Sequence, residues 1–236
     1  MNTRRLIVNA DDFGQSNGIN KGIIQAHEKG IVTSTSLMVR YPAAIEAAEY
    51  AKSNTTLGVG LHLDFGEWVC KQDNWEMSYS VVDLENTDAV KNEIDEQIDR
   101  FLELMGRKPT HIDSHQHAHL TASILPLVED VARILNVTLR RRSAKVHYCG
   151  DFYGQSTIGE PHHDIISVDG LCSILSTLPA DKSIIELGCH PALDNDIETM
   201  YKIEREKEVE TLCNHALKTK LSDRGFELYS FEGICF

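Results

Sequence analysis

Short apolar runs that stop abruptly at ionisable residues, spaced by stretches with a helical period, constrain this chain more than any other feature. Leu6-Ile7-Val8-Asn9-Ala10 has no polar alternation, as expected of a parallel strand covered by helices on both faces, and it ends at Asp11-Asp12. Asn17 is placed to cap a helix through Ile19, Ile23 and Ile24 that stops near Gly30, and residues 32–39 read as a second strand. Pro42 opens an alanine-rich helix to residue 53, and 57–63 reads as a third strand. After a loop over 64–86, a charged helix over 87–105 carries Val90, Ile94, Ile98, Phe101, Leu102 and Met105 on one face. The pattern continues with a strand at 110–114, a helix at 123–135 and a strand at 137–141. A second loop covers 145–163, followed by a strand at 165–168 and a helix capped by Asp169. A strand at 183–189, a charged helix at 198–221 and a strand at 226–231 complete the chain. Strands that alternate with helices, with no repeat or linker, predict one α/β domain over residues 1–236, barrel-like or closed rather than doubly wound.

Composition narrows the function. Hydrophobic residues are 42% and charged residues 25%, enough to bury a large core, while the net charge of −13 repels nucleic acid and anionic membrane surfaces. No apolar run approaches the roughly 20 residues of a membrane helix, and the first residues are too short for a signal peptide, so the expectation is a cytoplasmic protein. Cys70, Cys149, Cys172, Cys189, Cys213 and Cys235 lie far apart without a Cys-x-x-Cys pair and are expected to be reduced packing residues.

The residues that end the strands carry chemistry. Asp11 and Asp12 repel one another unless a cation or a shared proton compensates them; a capping Asx turn is the structural alternative. His62 closes the third strand within Gly60-Leu61-His62-Leu63. The stretch His111-Ile112-Asp113-Ser114-His115-Gln116-His117-Ala118-His119 places its histidines and Asp113 on odd positions, one face of an extended chain. Such closely packed imidazoles need a metal, a carboxylate or solvent, and Asp113 is suited to orient a ligating histidine. Arg140 and Arg141 end the fifth strand, and His190 follows Glu186-Leu187-Gly188-Cys189. All stand at carboxyl ends of parallel strands, the rim where α/β folds assemble sites. One Asp and two His would hold an ion while leaving positions open for water and substrate.

These motifs, with Leu6 to Gly14, Gly30-Ile31-Val32-Thr33-Ser34-Thr35 and Cys189-His190-Pro191, resemble the YdjC-like carbohydrate deacetylases, which include chitooligosaccharide deacetylases. The resemblance implies an irregular (β/α) barrel similar to polysaccharide deacetylases, a divalent metal, an N-acetylated sugar or oligosaccharide as substrate, and a homodimer. By matching position, it implies Asp12, His62 and His115 as metal ligands, Asp11 as general base and His190 as general acid. Magnesium follows from the resemblance, whereas two imidazoles and a carboxylate alone would favour zinc. Gln116 stands where relatives commonly have another histidine, and its even position predicts that it points away from the metal. Trp68, Trp75, Phe152 and Tyr153 in the two loops are candidates to stack on sugar rings or to pack; Arg140 or Arg141 could orient Asp11 or a sugar hydroxyl, with an ion pair on the rim the equal alternative. His27, His147, His162, His163 and His215 are read as structural or surface residues, with His162 and His163 the first exceptions to consider. A metal-dependent phosphoesterase, with two ions and more basic residues, and a non-catalytic sugar-binding protein are the competing readings.

Overall fold

The computed structural model describes residues 3–194, 196–232 and 234. In chain order the first half holds β1 (Arg4–Phe13), α1 (Asn17–Glu28), β2 (Ser34–Leu37), α2 (Ala44–Ser53), β3 (Gly58–Leu63), β4 (Gly66–Lys71), β5 (Asn74–Ser80) and α3 (Thr87–Met105). The second half holds β6 (His111–Ser114), α4 (Leu125–Leu135), β7 (Thr138–Leu139), β8 (Val146–Cys149), α5 (Val168–Thr177), β9 (Ile184–Cys189), α6 (Ile203–Leu212), α7 (Leu217–Asp223) and β10 (Phe226–Tyr229).

The apolar strands pair in parallel in the order β7-β6-β3-β2-β1-β9-β8. β1 is central: its first half pairs with β10, its second half with β2, and its other edge with β9. Buried on both faces from Leu6 onward, it uses a continuous apolar run where a half-exposed strand would alternate. No ladder joins β7 to β8 among the described residues. Side chains span that seam instead, with the Arg140 guanidinium 4.9 Å from the centroid of the Tyr148 ring. The α/β fold is therefore an irregular, incompletely hydrogen-bonded barrel, as expected.

Local chemistry explains the helices. α3 starts where the Asn86 side chain accepts the Ala89 N–H, buries Val90, Ile94, Phe101 and Met105, and stops at Gly106 in the left-handed region (φ 68°). α1 is capped by Ser16, one residue before the expected Asn17, and α5 by Ser167 instead of Asp169. In β3, a Cβ at Gly60 would lie 2.4–2.6 Å from the His111 ring. Its absence lets that ring stack on Phe231 at 3.9 Å between centroids.

The two expected loops are partly regular. Residues 64–86 contain the antiparallel hairpin β4–β5, closed by Gln72 and Asp73, both at positive φ as a type I′ turn requires. Without the usual Asn-Gly pair, that turn leaves little trace in the sequence. Residues 145–163 contain β8, and where a strand was expected over 165–168 the chain turns at 165–167 and Val168 opens α5. The charged helix of 198–221 is two helices, because the Asn214 side chain accepts the Ala216 N–H in a competing turn. Cys70, Cys149, Cys172, Cys189 and Cys213 are free thiols, and Cys235 lies outside the described residues. No helix among the described residues is long and apolar enough to cross a membrane.

Candidate active site

Adjacent residues of a regular strand point to opposite faces, so Asp11 and Asp12 could not both enter one cavity from an ideal β1. The register of β1 against β2 slips between Ala10 and Phe13, and Asp12 adopts φ 70°. That bulge turns both carboxylates into a cavity of about 520 Å³ at the carboxyl ends of the strands, which His62, His115, His117, Arg141, Tyr148 and His190 also line.

Asp12, His62 and His115 offer ligand atoms all within 4.8 Å of one another. Asp12 Oδ1 lies 3.4 Å from His62 Nε2 and 3.1 Å from His115 Nδ1. Neighbouring ligands of one ion bound at about 2.0–2.2 Å stand roughly 3.0–3.5 Å apart, so these separations fit a single coordination sphere. The protonation pattern agrees. His62 Nδ1 pairs with Asp113 Oδ1 at 2.7 Å, which directs the Nε2 lone pair of a neutral ring at the Asp12 carboxylate. With a neutral ring two acceptors would face one another there, and either a proton on Nε2 or a cation between them relieves the contact. Burial disfavours the imidazolium forms, yet the carboxylates outweigh it and raise His62 to about 10 and His115 to about 9. The site thus attracts positive charge, whether proton or metal.

A second group, Asp11, His62 and Asp113, also converges. Here the cation is already present: Arg140, itself buried, reaches Asp11 at 2.6 Å, Asp113 at 2.7 Å and Glu186 at 2.7 Å. Against the desolvation of burial, Arg140 holds Asp11 and Asp113 below the usual carboxylate range. Burial prevails at Glu186, which rises to about 7. Asn9 Nδ2 donates to Asp11 Oδ1 at 2.9 Å, so the Asp11 carboxylate is fixed from two sides.

His190 stands just beyond β9, its Nε2 3.8 Å from Asp11 Oδ2 and its Nδ1 buried without a hydrogen-bond partner. Burial, with help from Arg205, lowers it to about 4. Arg205 Nη2 donates to Asp12 Oδ2 at 2.7 Å, leaving Oδ1 toward the two imidazoles.

Sequence comparison places this geometry among known proteins. A family model described as YdjC-like protein matches residues 5–223. The chain belongs to the YdjC-like family. The YdjC-like chain is 32% identical to a carbohydrate deacetylase of Vibrio parahaemolyticus, over 98% of this chain and 96% of that protein. It is 33% identical to a chitooligosaccharide deacetylase of Escherichia fergusonii, over 97% and 98%. Among solved structures it is similar to an Enterococcus faecalis protein provisionally named for cellobiose-phosphate cleavage, at TM-score 0.77 and 28% identity over 99% and 100% of the two chains. The fold is also that of a family 4 carbohydrate esterase from Streptomyces lividans, at TM-score 0.56 and 11% identity over 96% and 92%.

In this YdjC-like protein the histidine cluster divides. The extended face expected over residues 111–119 ends at Ser114, because the chain turns into a 3₁₀ segment with Gln116 and His117 at positive φ. His115 alone joins Asp12 and His62. His119 is buried between Ser114 Oγ, at 2.7 Å, and the Arg140 carbonyl, while His117 lies edge-on to Tyr148 in the cavity wall. Gln116, at positive φ and so outside the even-odd rule, lines the same cavity without joining the grouped ion ligands, and its amide pairs with both the N–H and the carbonyl of Trp68. The arginine pair also splits: Arg140 is buried among carboxylates and Arg141 lines the cavity. Trp68, Trp75 and Tyr153 line the cavity too, whereas Phe152 is a core residue with no exposed surface. His147 is among the residues that line the cavity, while His163 pairs with Glu204 and His162 lies outside the lining. Sequence reasoning missed Arg205 and Glu208 of α6 and Tyr201 just before it, since 198–221 read as one charged helix. The weak segregation of apolar and charged residues in α6 was the available signal.

Proposed function

We propose that the protein is a metal-dependent deacetylase that hydrolyses the acetamide of an N-acetylated amino sugar or oligosaccharide, giving acetate and a free amine. The observation that carries this reading is the convergence of Asp12, His62 and His115 beside a clamped carboxylate, Asp11, and a neutral imidazole, His190, in one cavity. The names of the relatives point the same way.

Asp12, His62 and His115 would hold a divalent ion, which when bound polarises an acyl carbonyl and lowers the pKa of water. Two imidazoles and one carboxylate suit zinc or another transition ion by softness, and family likeness favours magnesium; reconstitution with each ion separates them. Asp11 takes the proton of the attacking water, and Arg140 and Asn9 keep its carboxylate aimed. His190 delivers a proton to the departing amine, and its position 3.8 Å from Asp11 lets the proton removed at one step be used at the next. The low affinity of the His190 ring for protons makes it a strong acid once charged. Trp68, Trp75 and Tyr153 present rings on which a sugar can stack.

The competing phosphoesterase reading requires a second ion, and Arg140 fills the place where Asp11 and Asp113 would bind one. The test is acetate and amine release from N-acetylated mono- and oligosaccharides, with and without chelator. Turnover that survives chelation, or no acetate from the metal-loaded protein, would end this proposal; phosphate release from sugar phosphates would favour the alternative.

A further inference from the structure

We propose that Glu208 of α6 is a positioning residue for the acid step, fixing the main chain of His190 and thereby the ring beside Asp11. The inference rests on the deacetylase reading above. The β1–β9 ladder ends at the pair Ala10 and Cys189, so His190 is the first residue without a strand partner. Both of its main-chain polar groups are instead bonded by α6: the N–H donates to Glu208 Oε2, and the carbonyl accepts from Arg205 Nη1 at 3.2 Å. Two residues on, the Ala192 N–H donates to the Arg205 carbonyl at 3.3 Å. The His190 ring has an unpartnered Nδ1, a separation of 3.8 Å between Nε2 and Asp11 Oδ2, and edge-on contacts with Tyr153 and Tyr201 at 5.6 and 5.9 Å between centroids, with no hydrogen bond to either tyrosine ring. Its aim therefore depends on the backbone that carries it. Glu208 also accepts the Tyr201 hydroxyl at 2.6 Å, and Tyr201 stacks on Tyr153 at 4.3 Å, so one buried carboxylate sets the imidazole and the rings around it. Burying a carboxyl group is costly unless it is hydrogen-bonded, and each Glu208 oxygen accepts one bond.

The test compares two substrates that differ in their need for an acid. An acetamide on a chitooligosaccharide expels an amine that must be protonated, whereas 4-nitrophenyl acetate expels a stable phenolate. In the metal-loaded enzyme, Glu208→Ala is expected to lower kcat on the amide about 100-fold, the order expected of a misplacement near 1 Å, with KM and metal affinity little changed. Hydrolysis of the activated ester is expected to stay within about threefold, because it does not use the acid. Glu208→Gln, which keeps an acceptor for the His190 N–H, should recover most amide turnover. If the alanine variant does not fold, Glu208→Asp keeps a carboxyl group but draws the acceptor back, and its amide-to-ester ratio decides. Parallel loss of both activities would reduce Glu208 to a support of the fold, and unchanged amide turnover would remove it from the reaction. Wild-type protein that releases no acetate from the amide refutes the deacetylase reading itself and this assignment with it, a result distinct from either.

Discussion

Replacing Arg140 with Met removes the cation that Asp11, Asp113 and Glu186 share at 2.6–2.7 Å, with all four side chains buried. Removing one partner of a buried ion pair costs about 3–5 kcal/mol, and a cation serving three carboxylates belongs at the upper end. For a domain of this size each kcal/mol moves the melting temperature by about 2–4 °C, so Arg140→Met should melt roughly 10–20 °C lower near neutral pH. The pH dependence carries the sharper sign. In the wild type Asp11 and Asp113 are held below the ordinary carboxylate range, so their contribution is present above that range and is lost only as pH falls through the depressed values. In the variant, burial without a cation raises both groups. Each then costs stability above its unfolded value, and acidification relieves the cost by protonating the folded state first. The deficit of the variant should accordingly shrink between pH 8 and pH 5. Thermal melts of chelator-treated wild type and variant across that range provide the assay. A deficit that stays constant with pH, or melting within about 2 °C at neutral pH, would refute the electrostatic reasoning.

Asp11→Asn should bind the ion as the wild type does while kcat falls by about 10²–10⁴, the usual worth of a general base, whereas His115→Ala should lose ion and turnover together; ion titration beside acetate release separates the two. Metal uptake should release protons at pH 7.5, because the metal-free His62 and His115 hold theirs up to about 10 and about 9. Apparent affinity should therefore climb as pH rises toward those values, and calorimetry in buffers of different ionisation enthalpy would reveal the released protons, or their absence. Gln116→Ala removes both hydrogen bonds that hold Trp68 of β4 over the cavity. Faster amide exchange in β4 and a raised KM at nearly constant kcat are expected, and unchanged exchange would mean that the hairpin is held by other contacts.

Much of the fold was legible because parallel strands covered on both faces must be continuous apolar runs, and the runs at Leu6, Val59 and Ile185 are of that kind. The hairpin β4–β5 was not, since its exposed strands carry no such run and its turn uses Gln72 and Asp73 where a glycine would have marked it. At the candidate site the legible part was whichever residue ends a strand: Asp12, His62 and His115 converge because parallel strands deliver their carboxyl ends to one rim. What stayed hidden depends on departures from regular geometry. The even-odd rule assigns Asp11 and Asp12 to opposite faces, and only the bulge with Asp12 at φ 70° reconciles the pair with one cavity. The same rule carried past Ser114 gives His117 and His119 places beside the ion that the 3₁₀ turn takes away. Arg205 and Glu208 were hidden for a different reason. Charge on a helix reads as solvation unless something buried needs it, and here the need arises from Asp12 and from His190, both remote in sequence from α6. Each side chain missed on α6 bonds to a group already picked out at a strand end. A buried carboxylate or an unsupported loop predicted at a rim is therefore itself a reason to search charged helices for its partner.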